Sequence, residues 1–159
     1  MSKKGLILCV CQGTCTNFSK MDVFSVLSNV LREKLFDYSC MHPRLCVGGG
    51  EEFLKVLLSG GETEKLYIAA CYPQMQCMLF RDAFDTVGFD RTKHIALDIR
   101  NKTTEEALEA IKKLVNTNPE KDSRERVAQG SSPRELNQGE ASYLCTDDSQ
   151  PQRQNLASY

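Results

Sequence analysis

The sequence has no tryptophan, only two histidines and five prolines, and no surplus of charge of either sign. Twenty Lys and Arg stand against 21 Asp and Glu, a formal net charge of −1. That balance offers no basic surface for nucleic acid and no polybasic patch for an anionic membrane. Long apolar runs are also missing. A spanning helix needs about 20 consecutive apolar residues, and Met1–Lys4 leads only into a short apolar stretch, Gly5–Val10. A transmembrane segment and a secretory leader are therefore not expected. A cytoplasmic protein is the expectation, with neither nucleic acid nor membrane as partner.

Phosphate-binding glycine patterns are lacking too. Gly48, Gly49 and Gly50 do not form Gly-x-Gly-x-x-Gly after a strand, and no Lys-Ser/Thr closes a glycine loop. No flavin or nucleotide site in this chain is expected. Nor is there a Ser-His-Asp set or a carboxylate pair placed for acid–base work, so catalysis by this chain alone is not expected.

What the chain does have is cysteine, eight in 159 residues: Cys9, Cys11, Cys15, Cys40, Cys46, Cys71, Cys77 and Cys145. In a reducing compartment so many thiols point to ligands or redox groups rather than to a disulfide framework.

Composition divides the chain near residue 117. Residues 117–159 are poor in apolar side chains and carry Pro119, Gly130, Pro133, Gly139 and Pro151 among many polar residues. Such a segment buries too little apolar surface to offset its ordering entropy, and a mostly disordered tail is expected. The stretch 140–145 is the exception, with a capacity to pack locally or on a partner.

Residues 1–116 alternate between apolar runs and helical periods. Strands are expected at Gly5–Val10, Phe36–Cys40, Lys65–Ala70 and His94–Ile99. Helices are expected at Met21–Lys34, Glu51–Ser59, Gln76–Val87 and from Thr103 to Val115. Strand followed by helix, with no hairpin signal, implies right-handed crossovers. The expected fold is α/β, an open parallel sheet of about four strands with helices on both faces, Rossmann- or flavodoxin-like.

On that fold seven cysteines lie at or beyond the carboxyl ends of strands, where open parallel sheets bind ligands. Cys9 and Cys11, two apart in an extended segment, are expected to share a face. Thiols converging from three loops suit an iron–sulfur cluster, which takes four of them. Zinc, the structural alternative, favours local Cys-x₂₋₄-Cys knuckles, and only Cys11 and Cys15 fit that spacing. A metal-free alternative also exists. Cys71 ends a strand and precedes a helix, where amide dipoles lower a thiol pKa. With Cys77 as resolving partner it could serve redox or sulfur-transfer chemistry.

Several residue groups together resemble a known family. They are Cys9-Val10-Cys11-Gln12-Gly13, Cys40, the Gly50–Leu58 helix, Ala69-Ala70-Cys71-Tyr72-Pro73, Phe80-Arg81 with Gly88, and Asp98-Ile99-Arg100. From Gly5 to Val115 the chain resembles the amino-terminal domain of the flavin and iron–sulfur component of heterodisulfide reductase. That family has Cys-x-Cys-Gly, without the inserted residue, at the first position and Asn-Ile-Arg at the last. The resemblance implies an iron–sulfur electron-transfer component of an oxidoreductase complex. Cys9, Cys11, Cys40 and Cys71 are its implied [4Fe–4S] ligands, and its implied partners are flavoprotein, hydrogenase or heterodisulfide-reductase-type subunits. Cys15, Cys46 and Cys77 have no counterpart in the family pattern and are candidate additional ligands of a second or larger cluster. Arg100 is a candidate cofactor-facing cation, since a guanidinium stabilises a net-negative reduced cluster. Arg44 and Arg81 are weaker candidates for that role. His42 is a solvated loop residue or an unusual ligand, and His94 is structural. Tyr72 and Met75 are expected to shield the crevice. Cys145 is expected as a free thiol in the tail.

Overall fold

The computed structural model describes residues 2–11, 15–117 and 142–144. Among the described residues, eight strands and α-helices follow the alternation expected above: β1 (Lys3–Cys9), α1 (Val23–Arg32), β2 (Tyr38–His42), α2 (Gly50–Leu58), β3 (Thr63–Ala70), α3 (Pro73–Val87), β4 (His94–Asp98) and α4 (Thr104–Asn116), and a further strand, β5 (Ser142–Leu144), was not expected. The sheet order is β2-β1-β3-β4-β5. The first four strands are parallel, as expected, and β5 adds an antiparallel edge. The rest of the segment expected to be disordered, residues 118–141 and 145–159, lies outside the described residues, and Cys145 with it.

Period-two alternation along β1 builds two cores from one strand. Leu6, Leu8 and Val10 join Val26 and Val30 of α1 and Ala107 and Ile111 of α4. Ile7 and Cys9 face the other way, with Leu54 and Leu58 of α2 and Phe80, Ala83 and Phe84 of α3. The result is three layers, helix, sheet and helix.

The helix ends are set by local chemistry. Asp22 caps α1, accepting from the amides of Phe24 and Ser25. Thr103 and Glu106 form a reciprocal capping box on α4. α3 starts three residues earlier than expected, because Pro73, whose missing N–H is no loss there, occupies its first turn. It stops at Gly88, in the left-handed region at φ 66°.

β2 departs from expectation in a way that matters. The strand runs Tyr38–His42 rather than Phe36–Cys40. Tyr38 pairs with Gly5, and its ring occupies the space a side chain at Gly5 would need, since a Cβ there would lie 2.0 Å from the ring. The Tyr38 hydroxyl also bonds Thr63 Oγ1 of β3 at 2.9 Å. This cross-strand seat fixes where pairing begins. Cys40 is consequently inside β2, opposite Ile7, and His42 ends the strand opposite Cys9.

Candidate functional site

β1 is flanked by β2 on one side and β3 on the other, so successive connections leave β1 and β3 in opposite directions. This is the switch point of a 2-1-3-4-5 sheet, where the loops part and leave a crevice. Cys9 is the last residue of β1, and Cys71 directly follows β3. Both thus stand at the switch point, in agreement with the sequence reading.

The segment after β1 is not extended. Cys11 takes φ 49°, a left-handed conformation uncommon outside glycine. The turn separates the two neighbouring thiols. Cys9 packs into the α2/α3 core, whereas Cys11 packs with Cys15 and Cys71 against the α1/α4 core. The expectation that Cys9 and Cys11 share one face is corrected here. The thiols straddle the end of the sheet instead.

Cys9 is 4 % exposed, and its Sγ accepts the backbone N–H of Leu45 at 3.3 Å. That bond draws the loop after β2 onto the end of β1 and brings the neighbouring Cys46 with it. The loop is braced from behind by α2. Gly50 lies so close to Leu45 that a Cβ would sit 2.0 Å from the Leu45 carbonyl oxygen.

Four thiols act on one another. Burial first, and then Cys9, Cys15, Cys46 and Cys71, push the Cys11 thiol up to about 11. Burial first, then Cys9 and Cys46, raise Cys71. Cys9 is raised by burial against the opposing pull of the Leu45 and Cys11 amides, with Cys46 adding to the rise. Cys9, Cys11, Cys46 and Cys71 therefore lie near enough at the sheet end for a charge on one to be felt by the others. Cys15 interacts with Cys11 of that set. Cys40 is raised by burial alone, as its place two residues short of the strand end implies. The structure thus brings three of the four resemblance-implied residues together with Cys46, and leaves Cys40 below them.

Cys77 stands apart from that set. Cys77 is disulfide-bonded, whereas Cys71 is free. Cys77 is neither the resolving partner of Cys71 nor an available thiolate ligand. The Cys71 thiol accepts from its own amide and that of Tyr72 at the start of α3, as the metal-free reading supposed, but burial outweighs them and the shift is upward. A half-buried thiol with a raised pKa is a poor nucleophile at neutral pH.

Among the described residues, no three His, Cys, Asp or Glu side chains stand close enough to hold one metal ion. A tetrahedral zinc with bonds of about 2.3 Å needs its thiolates within about 4 Å of one another. A cubane makes a wider demand, one thiolate on each of four irons. Cys9, Cys11, Cys46 and Cys71 stand on three separate loops at one end of the sheet and match that demand in number and kind of donor.

Arg100 follows β4 and is tied down. Its Nε donates to Asp98 Oδ1 and Oδ2 at 2.9 and 3.1 Å, and its guanidinium lies 3.9 Å over the Tyr72 ring. Arg44 places its amide 3.1 Å from His42 Nδ1. The His42 ring lies against Phe53 of α2, tilted by 41° with centroids 4.7 Å apart. Arg81 pairs with Asp82 on the exposed side of α3. His94 is fully buried beside Phe80 and Phe84, the structural place expected. Tyr72 and Met75 are exposed rather than closed over a crevice, and Val47, Met78 and Leu79 are exposed as well. A shallow recess of about 390 Å³ beside α2 takes in Cys46 and Val47 but none of the other thiols. No helix among the described residues is long and apolar enough to cross a membrane.

No protein-family model matches this chain, and no curated protein matches it.

Proposed function

We propose that this chain is an electron-transfer protein or subunit that holds a [4Fe–4S] cluster at the carboxyl-terminal end of its sheet, with Cys9, Cys11, Cys46 and Cys71 as ligands. The observation that carries the reading is the convergence of these four cysteines, from three separate loops, on the carboxyl-terminal end of the sheet at the β1/β3 switch point. When bound, such a cluster accepts and donates single electrons.

The chain's own residues have definable tasks around it. The Leu45 amide stabilises charge on the Cys9 sulfur, and N–H···S bonds of this kind raise the potential of a thiolate-ligated centre. Asp98 holds Arg100 over Tyr72, so the guanidinium is positioned but largely neutralised. Exposed Val47, Tyr72 and Met75 adjoin the ligand-bearing loops and offer an apolar rim for a redox partner. A flavoprotein, hydrogenase or heterodisulfide-reductase-type subunit is the partner class, and the cytoplasm, which keeps thiols reduced, is the compartment.

The test is anaerobic reconstitution of the full chain with iron and sulfide, read by metal content and visible spectrum. About four iron and four sulfide per chain, with a brown colour bleached by dithionite, is the expected result. Cys46→Ser loses the cluster and Cys40→Ser keeps it. The reverse pattern returns the fourth position to Cys40. A wild-type chain that stays colourless overturns the reading.

A further inference from the structure

Gln76 lies on the face of α3 that carries Phe80, Ala83 and Phe84 into the α2/α3 core. It is 1 % exposed and, with His94, is one of two buried polar side chains among the described residues. Its Nε2 donates to the backbone carbonyl of Cys71 at 2.7 Å, whereas its Oε1 has no hydrogen-bond partner among the described residues. An amide buried with one end unsatisfied is costly, so stability alone would favour an apolar side chain at this place in the helix. The bond it does make goes to a group that neither neighbouring element pairs. Ala70 is the last residue of β3, and its carbonyl accepts from Ile99. The first helical bond of α3 is accepted by the Tyr72 carbonyl, from the Gln76 amide. The Cys71 carbonyl falls between the two.

We propose that Gln76 is a positioning residue for Cys71: from within the core it holds the Cys71 carbonyl and so fixes the peptide unit that presents its N–H to the Cys71 sulfur. That carbonyl and the Tyr72 N–H belong to one peptide group, which is planar and trans, so the two point in opposite directions. With the oxygen held by Gln76, the N–H is directed the other way, and the Cys71 thiol accepts from it. α3 carries no side-chain cap at Tyr72, and the reach of Gln76 back to Cys71 takes the place of one. The consequence for electron transfer rests on the function proposed above. An N–H···S bond favours the more negative, reduced state of a thiolate-ligated centre, so Gln76 sets part of the potential without being a ligand. The clamp itself belongs to the metal-free chain.

Gln76→Met, which keeps the length of the side chain and removes the donor, tests this in two states of the full chain. In the metal-free protein, amide exchange followed by NMR should show the Tyr72 N–H exchanging about tenfold faster than in wild type. The Ile99 amide, bonded to the neighbouring Ala70 carbonyl, should keep its rate. The thermal transition should stay near the wild-type value, because the substitution also removes the unpartnered Oε1. In the reconstituted protein the midpoint potential should shift below that of wild type. An unchanged Tyr72 rate overturns the clamp. Faster exchange at Ile99 as well, or a large fall in the thermal transition, overturns the positioning role and makes Gln76 a packing residue. Faster exchange at Tyr72 with an unchanged potential overturns the effect on the sulfur. The first arm needs no metal, so it decides the clamp even where wild-type reconstitution fails, an outcome that overturns the cluster reading instead.

Discussion

The backbone amide of Leu45 donates to the Sγ of Cys9 at 3.3 Å, joining the loop after β2 to the end of β1. This one contact brings Cys46 to the other thiols. It depends on Gly50, because only a residue without a Cβ lets α2 press on the Leu45 carbonyl.

Gly50→Ala should therefore act at a distance. The added methyl must push the Leu45 backbone away, at a cost of about 1–3 kcal/mol. Urea unfolding at pH 7 measures that loss. In the same variant reconstitution should yield less iron per chain than wild type, although no cysteine has changed. Undiminished iron would show that the Leu45 loop is not needed.

Thiol reactivity in the metal-free protein should follow exposure and pKa. Cys46 is exposed, Cys9 is buried with its thiol raised, and Cys11 is pushed up to about 11. Iodoacetamide at pH 8, followed by mass spectrometry, should label Cys46 first and Cys9 and Cys11 last. After reconstitution Cys46 should become protected while Cys15 keeps its rate.

Burial lowers His94 from the usual histidine range to about 3. The folded protein thus holds a neutral ring where the unfolded chain, titrating near 6.5, takes up a proton. The contribution is fully present above about pH 6.5 and is lost as pH falls toward 3. Between pH 7 and 4 this amounts to a loss of about 3 kcal/mol. Denaturation midpoints across that range should fall for the wild type. His94→Leu should flatten the decline.

Asp98 is held below the ordinary carboxylate range. Burial opposes ionisation there, but the hydrogen bonds and charge of Arg100 outweigh it. Its contribution is present above pH 4, the unfolded carboxylate value, and is lost as pH falls through the lowered folded one. Asp98→Asn should cost about 1.5–3 kcal/mol at pH 7, by leaving a half-buried guanidinium without its counter-charge. The cost should shrink in acid as wild-type Asp98 takes up its own proton. Denaturation at pH 7 and at pH 3 checks both halves.

Much of this architecture is legible in the residues themselves. The apolar runs at Leu6–Val10, Leu66–Ala70 and Ile95–Ile99, each followed by a helical period, determine alternation, parallel order and two-sided burial. Local chemistry does so because strand and helix periods are properties of a few consecutive residues. The positions of Cys9 and Cys71 at the switch point follow from that order alone.

The fourth member of the thiol set was decided by tertiary structure. Whether Cys40 or Cys46 stands beside Cys9 depends on where β2 begins, and a shift of two residues preserves the inward and outward pattern, so periodicity does not register it. The shift is set by Tyr38 lying across Gly5 and bonding Thr63, contacts made between strands far apart in sequence. The left-handed turn at Cys11, the approach of Leu45 to Cys9 and the pairing of β5 with β4 are of the same kind. Each is a meeting of distant segments, and only the folded chain brings the partners together.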